Sequence, residues 1–203
     1  ARPADAGVHA LVQLERGVHR SRSGQLELAQ TDLLRACETL RSTGPSRDLI
    51  LCLGHLANHY RRVGDADEAL KMLVPLRDQA RQRGETYDDA IYTFGIAQVQ
   101  QQLKHWDEAT EAYRQSSAAN ELLHDDVGLG FAQHGLATTL LHAGRADEAL
   151  AHVERSLALT PQATVPRQFE LATVTRADAL TALGRAEQAL ALLDSIGDAV
   201  RRR

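Results

Sequence analysis

Five alanines stand forty residues apart in this chain: Ala29, Ala69, Ala109, Ala149 and Ala189. Three further columns keep step with them. Five residues before each alanine comes Gly24, Gly64, Lys104, Gly144 or Gly184. Two before it stands an acid, Glu27, Asp67, Asp107, Asp147 or Glu187, and twelve before it a small residue, Gly17, Ala57, Ala97, Ala137 or Ala177. The plainest copies read GDADEAL at 64–70, GRADEAL at 144–150 and GRAEQAL at 184–190. Four columns kept in register over five copies require a repeat protein. At this period each copy is one supersecondary motif that buries its apolar face by stacking on its neighbours.

Each repeat carries two helical patterns around its glycine. In the second repeat Ile50, Leu53, Leu56, Ala57 and Tyr60 form one stripe, and Ala69, Leu70, Leu73 and Leu76 another. The glycine supplies the left-handed residue that ends the first helix, and the acid meets the positive end of the second. Small residues at two fixed places mark where the paired helices cross and only a methyl or a hydrogen fits. The chain is therefore expected to be all-α, in five helix-turn-helix repeats of about 5–43, 46–83, 86–124, 126–160 and 166–202, a single array over 1–203. TGPS at 43–46 and TPQATVP at 160–166 mark breaks between repeats. Pro75, inside the second helix of the second repeat, removes a donor and is expected to bend that helix. Because the chain opens on Ala1 and not Met, it is expected to be part of a longer one.

Composition narrows the function. Apolar residues make up 43% of the 203, but aromatics only 4%, which suits closely packed helices. A net charge of −4 gives no overall basic footprint for nucleic acid, and no direct nucleic-acid binding is expected. The one dense basic run, Arg201 to Arg203, reads as a solvated helix end. No apolar stretch is long enough to cross a bilayer and no signal peptide opens the chain, so a cytoplasmic location is expected. On that reading Cys37 and Cys52 are free, mostly buried thiols.

The columns resemble the tetratricopeptide repeat, whose pattern has a small residue at position 8, Gly near 15, Ala at 20 and a bulky residue at 24. Position 24 holds Leu33, Leu73, Tyr113, Val153 and Leu193. The period of forty departs from the family's usual thirty-four. Position 7, commonly Leu, is Arg16 and Arg176 in the outer repeats. Repeats of this length are similar to those of actinobacterial antibiotic-regulatory and signal-transduction ATPase regulators and of kinesin light chains. The Ala- and Arg-rich spelling leans toward the first.

The resemblance implies a right-handed superhelical α-solenoid with the first helix of each repeat on its concave face. Helical spacing then places Arg47, Leu51, Gly54, Asn58 and Arg61 there in repeat two, and Tyr87, Ile91, Phe94, Gln98 and Gln101 in repeat three. Repeat four adds Val127, Phe131, His134, Thr138 and Leu141, and repeat five Arg167, Leu171, Val174, Asp178 and Thr181. The candidate partner-binding set is Leu51, Asn58, Arg61, Phe94, Gln98, Gln101, Phe131, His134 and Thr138. Its apolar band would anchor an amphipathic helix or extended peptide while the amides meet main-chain groups. The same band could instead close against neighbouring helices, and Leu51 and Ile91 leave both arrangements open. Asn58, Gln98 and Gln101 are expected to be exposed, because burying an unpaired amide is costly. Gly54, Phe94, His134 and Val174 occupy the places where a carboxylate-gripping clamp needs lysine, so that clamp is not expected.

His55 and His59 have metal-binding spacing but lack a third ligand, and no phosphate loop, nucleophile elbow or zinc spacing is present. Neither enzyme activity, metal nor cofactor is expected. The leading reading is a protein-interaction scaffold. The others are a sensor domain of a bacterial transcriptional regulator and a module that self-associates through its terminal repeats, where Leu183, Leu190, Leu193 and Ile196 would meet a further domain or a second copy.

Overall fold

A computed structural model describes residues 3–44 and 46–201, with side chains over 6–44 and 46–194. The described residues form ten helices and no strand: α1 (Pro3–Arg22), α2 (Leu26–Ser42), α3 (Arg47–Val63), α4 (Ala66–Arg83), α5 (Thr86–Gln102), α6 (Trp106–Leu123), α7 (Asp126–His142), α8 (Ala146–Leu159), α9 (Pro166–Ala182) and α10 (Ala186–Arg201). They fall in two compact units, Ala1–Arg83 with α1 to α4 and Gly84–Arg203 with α5 to α10. In the first, α1 pairs with α2, α3 pairs with α4, and α3 also packs on α1 and α2. In the second, α5 to α10 pack each on the next, and the first helices α5, α7 and α9 touch in turn.

Both small-residue columns are buried in all five hairpins. The reason shows at Gly17, where an added Cβ would lie 2.8 Å from Leu33 Cγ. Bulky residues fill the space beside the crossings: Leu33, Leu73, Tyr113 and Val153 are buried. Each acid of the repeated motif lies in the first turn of a second helix, beside its unpaired N–H groups.

The turn within each hairpin is one structure used five times. Gly24, Gly64, Gly144 and Gly184 have φ between 74° and 86°, and the following residue donates its N–H to the carbonyl five positions back. Lys104 takes the same conformation at φ 62°, with His105 N–H donating to Gln100 O at 3.0 Å. A side chain in this region costs about 1 kcal/mol relative to glycine. Lys104→Gly is therefore expected to raise stability by about 1 kcal/mol, read from the urea midpoint at unchanged slope. A second positive-φ column, Gly44, Gly84 and His124, closes second helices. Gly44 and Gly84 carry its trace in the sequence, forty residues apart.

One expectation changes. Cys37 and Cys52 are buried as expected, but they form a disulfide and are not free thiols. Packing α2 against α3 brings residues 15 apart in sequence to a Cα separation of 5.5 Å, a proximity that spacing alone did not reveal. Pro75 lies inside α4, which runs from Ala66 to Arg83, with the proline on its exposed side. The arginines at position 7 are paired: Asp32, itself buried, is held by Arg16 and Arg20 at 2.6 Å each, and Arg176 meets Glu154 at 3.0 Å. Of the basic run at 201–203, Arg202 and Arg203 lie outside the described residues, as does the side chain of Ile196.

Candidate partner-binding face

One apolar column stays open through every hairpin. Leu11, Leu51, Ile91, Phe131 and Leu171 occupy the same place on five first helices, and each is 36–48% exposed. A side chain of this size is normally withdrawn from water. Leu51 and Ile91, whose sequence fitted either arrangement, are thus open to solvent. Leu11 belongs to the same column and was legible only by extending the forty-residue register backward.

In the first unit α3 carries three candidate residues. Leu51 is exposed, and about two and three turns on, Asn58 Oδ1 accepts from Arg61 Nε at 3.1 Å and Nη2 at 2.9 Å. His55 is half-buried, and burial lowers its pKa while Glu15 acts in the opposite sense. His59 is buried, with Nδ1 3.2 Å from Ser21 Oγ, so the two histidines do not share an open face. Among the described residues no group of three His, Cys, Asp or Glu could hold a metal ion.

The second unit carries the other six. Tyr87, Ile91, Val127, Phe131, Leu171 and Val174 form an exposed apolar surface over α5, α7 and α9. Phe94 is half-buried, edge-on to Tyr113 at a centroid distance of 5.6 Å. The Tyr113 ring comes from α6 and passes against Gly135, where an added Cβ would stand 2.3 Å from it. Its hydroxyl then donates to Gln101 Oε1 at 3.1 Å. Gln101 and Gln98 are half-buried instead of fully exposed, and for Gln101 the reason is this anchoring tyrosine.

His134 lies 2.9 Å from Thr175 Oγ1 through Nε2. Thr175 donates its own hydroxyl to Leu171 O at 3.2 Å, which assigns the imidazole N–H as donor to the threonine oxygen. Burial lowers the His134 pKa, so the ring is neutral at physiological pH. Thr138 is tied by its hydroxyl to His134 O at 2.9 Å. The central surface of α5 and α7 thus presents apolar side chains and neutral polar groups, and no full charge at Ile91, Phe94, Gln98, Gln101, Phe131, His134 or Thr138.

Stacked helical hairpins with small residues at each crossing and an open column along their first helices define a helical-repeat protein. Tetratricopeptide repeat profiles match residues 49–121, 89–162 and 171–195, more than half of the chain. The chain belongs to the tetratricopeptide repeat family. No curated protein matches the sequence. Among solved structures it resembles a kinesin light chain of Podosopora anserina with nearly identical repeats, at 19% identity, TM-score 0.74 and 92% coverage of either chain. BtubC of P. vanneervenii is similar at 16% identity and TM-score 0.74, over 96% of this chain and 89% of that one. A Rap protein complexed with Competence and Sporulation Factor aligns at 14% identity and TM-score 0.82, over 92% of this chain and 52% of the Rap chain. These likenesses concern the fold. No described helix is long and apolar enough to cross a membrane.

Proposed function

We propose that this chain is a protein-interaction scaffold that takes up an apolar or amphipathic peptide segment on the concave face expected from the family, along its first helices. The observation that carries the reading is the column Leu11, Leu51, Ile91, Phe131 and Leu171, a large apolar residue held in water at one place in every repeat. Folding leaves this area unburied, and a partner that covers it gains about 25 cal/mol per Å² of apolar surface. The polar band beyond it, with Asn58, Gln98, Gln101 and Thr138, would meet the partner's polar groups.

The test is selection of linear peptides from a random library displayed against the full chain. Enriched peptides should carry spaced apolar residues, and Phe131→Asp, a change at an exposed site, should weaken them at least tenfold. Peptides that bind the Phe131→Asp protein unchanged would remove this face from consideration. The likeness to the Rap protein solved with Competence and Sporulation Factor supports a second reading, a sensor domain whose ligand controls an attached effector. A DNA-binding or ATPase domain encoded next to this sequence would favour it.

A further inference from the structure

His134 is the titratable group in the middle of the second unit's exposed face. It stands one turn after Phe131 and one turn before Thr138 on α7, so the three share one side of that helix. The helix itself is enclosed, with α5, α6, α8 and α9 all packed against it. The Nε2–H of His134 is committed to Thr175 Oγ1 at 2.9 Å, which leaves Nδ1 as a lone-pair acceptor. Nδ1 makes no hydrogen bond among the described residues. Nor is it one of the buried side-chain atoms without a partner, which are His59 Nε2, Gln168 Nε2 and Arg176 Nε, so it is open to water.

The neighbouring polar groups are left in a state that suits a main chain. Thr138 gives its hydroxyl proton to His134 O at 2.9 Å, and its oxygen remains free to accept. Gln101 takes the Tyr113 hydroxyl on Oε1 at 3.1 Å, and its Nε2 remains free to donate. Uncharged acceptors on α7 and an uncharged donor on α5 thus lie on two packed helices, beside the exposed Ile91 and Phe131. A peptide main chain carries both kinds of group and no charge. A helical segment spends its N–H groups on its own carbonyls beyond the first turn, whereas an extended segment still has them to offer.

Resting on the peptide-uptake reading, we propose that His134 Nδ1 accepts a main-chain N–H from a partner segment bound in extended form, so that uptake depends on a neutral imidazole. Protonation turns this acceptor into a donor and brings a full charge onto an uncharged face. Burial lowers the His134 pKa, and no neighbouring charge contributes to the shift. From the elements packed on α7, α5 brings Gln98 and Gln101, which do not titrate, and α6 brings Tyr113. On α8 and α9, Glu154 and Arg176 are paired with each other, His152 is bonded to Gln133, and Asp178 is exposed. Asp126 and His142 lie at the two ends of α7 itself.

The experiment uses the full chain and a linear peptide selected against it. Heteronuclear NMR of the imidazole nitrogens in the free protein should find the His134 proton on Nε2 at neutral pH. Peptide affinity should be level above the His134 pKa and fall toward about tenfold per pH unit below it, because one proton competes with binding. His134→Asn, which keeps an acceptor near the place of Nδ1 and does not titrate, should give a flat profile. Among singly N-methylated versions of the peptide, one should cost the wild type about tenfold more than it costs His134→Ala, with circular dichroism confirming that both variants fold. A proton on Nδ1 overturns this assignment and leaves peptide uptake standing. So does a pH profile shared by wild type and His134→Asn, or N-methyl losses that are equal in wild type and His134→Ala. Peptides indifferent to Phe131→Asp, or no peptide selected at all, overturn the uptake reading and this inference with it.

Discussion

Replacing Gly135 by alanine is expected to destabilise the protein by about 3 kcal/mol, at the upper end of ordinary overpacking. The added Cβ would lie 2.3 Å from Tyr113 Cε1 and 2.4 Å from Cζ, well inside van der Waals contact. The ring cannot swing clear. Tyr113 is buried, packed with Ala97, Leu136, Leu140 and Ala149, set against Phe94 and tied to Gln101 through its hydroxyl. The strain should be specific to the pair. At the equivalent places Leu33, Leu73 and Val153 fill the core without reaching so far, so Tyr113→Leu gives back the room that alanine needs. Urea unfolding of both single variants and the double should show a coupling of about 1–3 kcal/mol, with the double variant more stable than the sum of single losses predicts. Additive losses would mean that Gly135 and Tyr113 do not meet as described.

The same pair shows why part of the candidate face was hidden from the sequence. Columns that repeat were legible: the alanines, the turn glycines and the first-turn acids occupy the same environment five times, and packing at the crossings admits little else. Leu51 and Phe131 were found because helical spacing projects them from the same side as their neighbours. The pair of Tyr113 with Gly135 occurs once: Gly95 repeats the glycine forty residues earlier, but Leu73 stands there in place of the tyrosine, and only the side-chain direction of Tyr113 shows that the glycine makes room for it. His134 with Thr175, 41 residues apart, is likewise a single event in a repeating chain. A register predicts what every repeat shares; contacts made by one pair of repeats alone depend on coordinates. The cysteines failed for that reason, since no other repeat has a sulfur at either place.

Breaking the Cys37–Cys52 bond is the second large effect expected. The cross-link closes a loop of 15 residues between α2 and α3, and removing a constraint of that length from the unfolded chain costs about 3 kcal/mol of stability. Both cysteines are buried, so Cys37→Ala with Cys52→Ala adds the loss of packed sulfur to the loss of the constraint. Amide hydrogen exchange localises the result. With reductant, protection should fall in α2 and α3 and stay unchanged in α7 and α8, and the double alanine variant should not respond to reductant at all. Equal exchange with and without reductant would show that the isolated protein carries two thiols. The joint also bears on the exposed column, because α3 is held beside both α1 and α2, and α1 and α3 carry Leu11 and Leu51. A reducing cytosol keeps such cysteines as thiols and an oxidising compartment joins them. Reduction is therefore expected to loosen the first unit and to leave the second, with no cysteine in residues 84–203, unchanged.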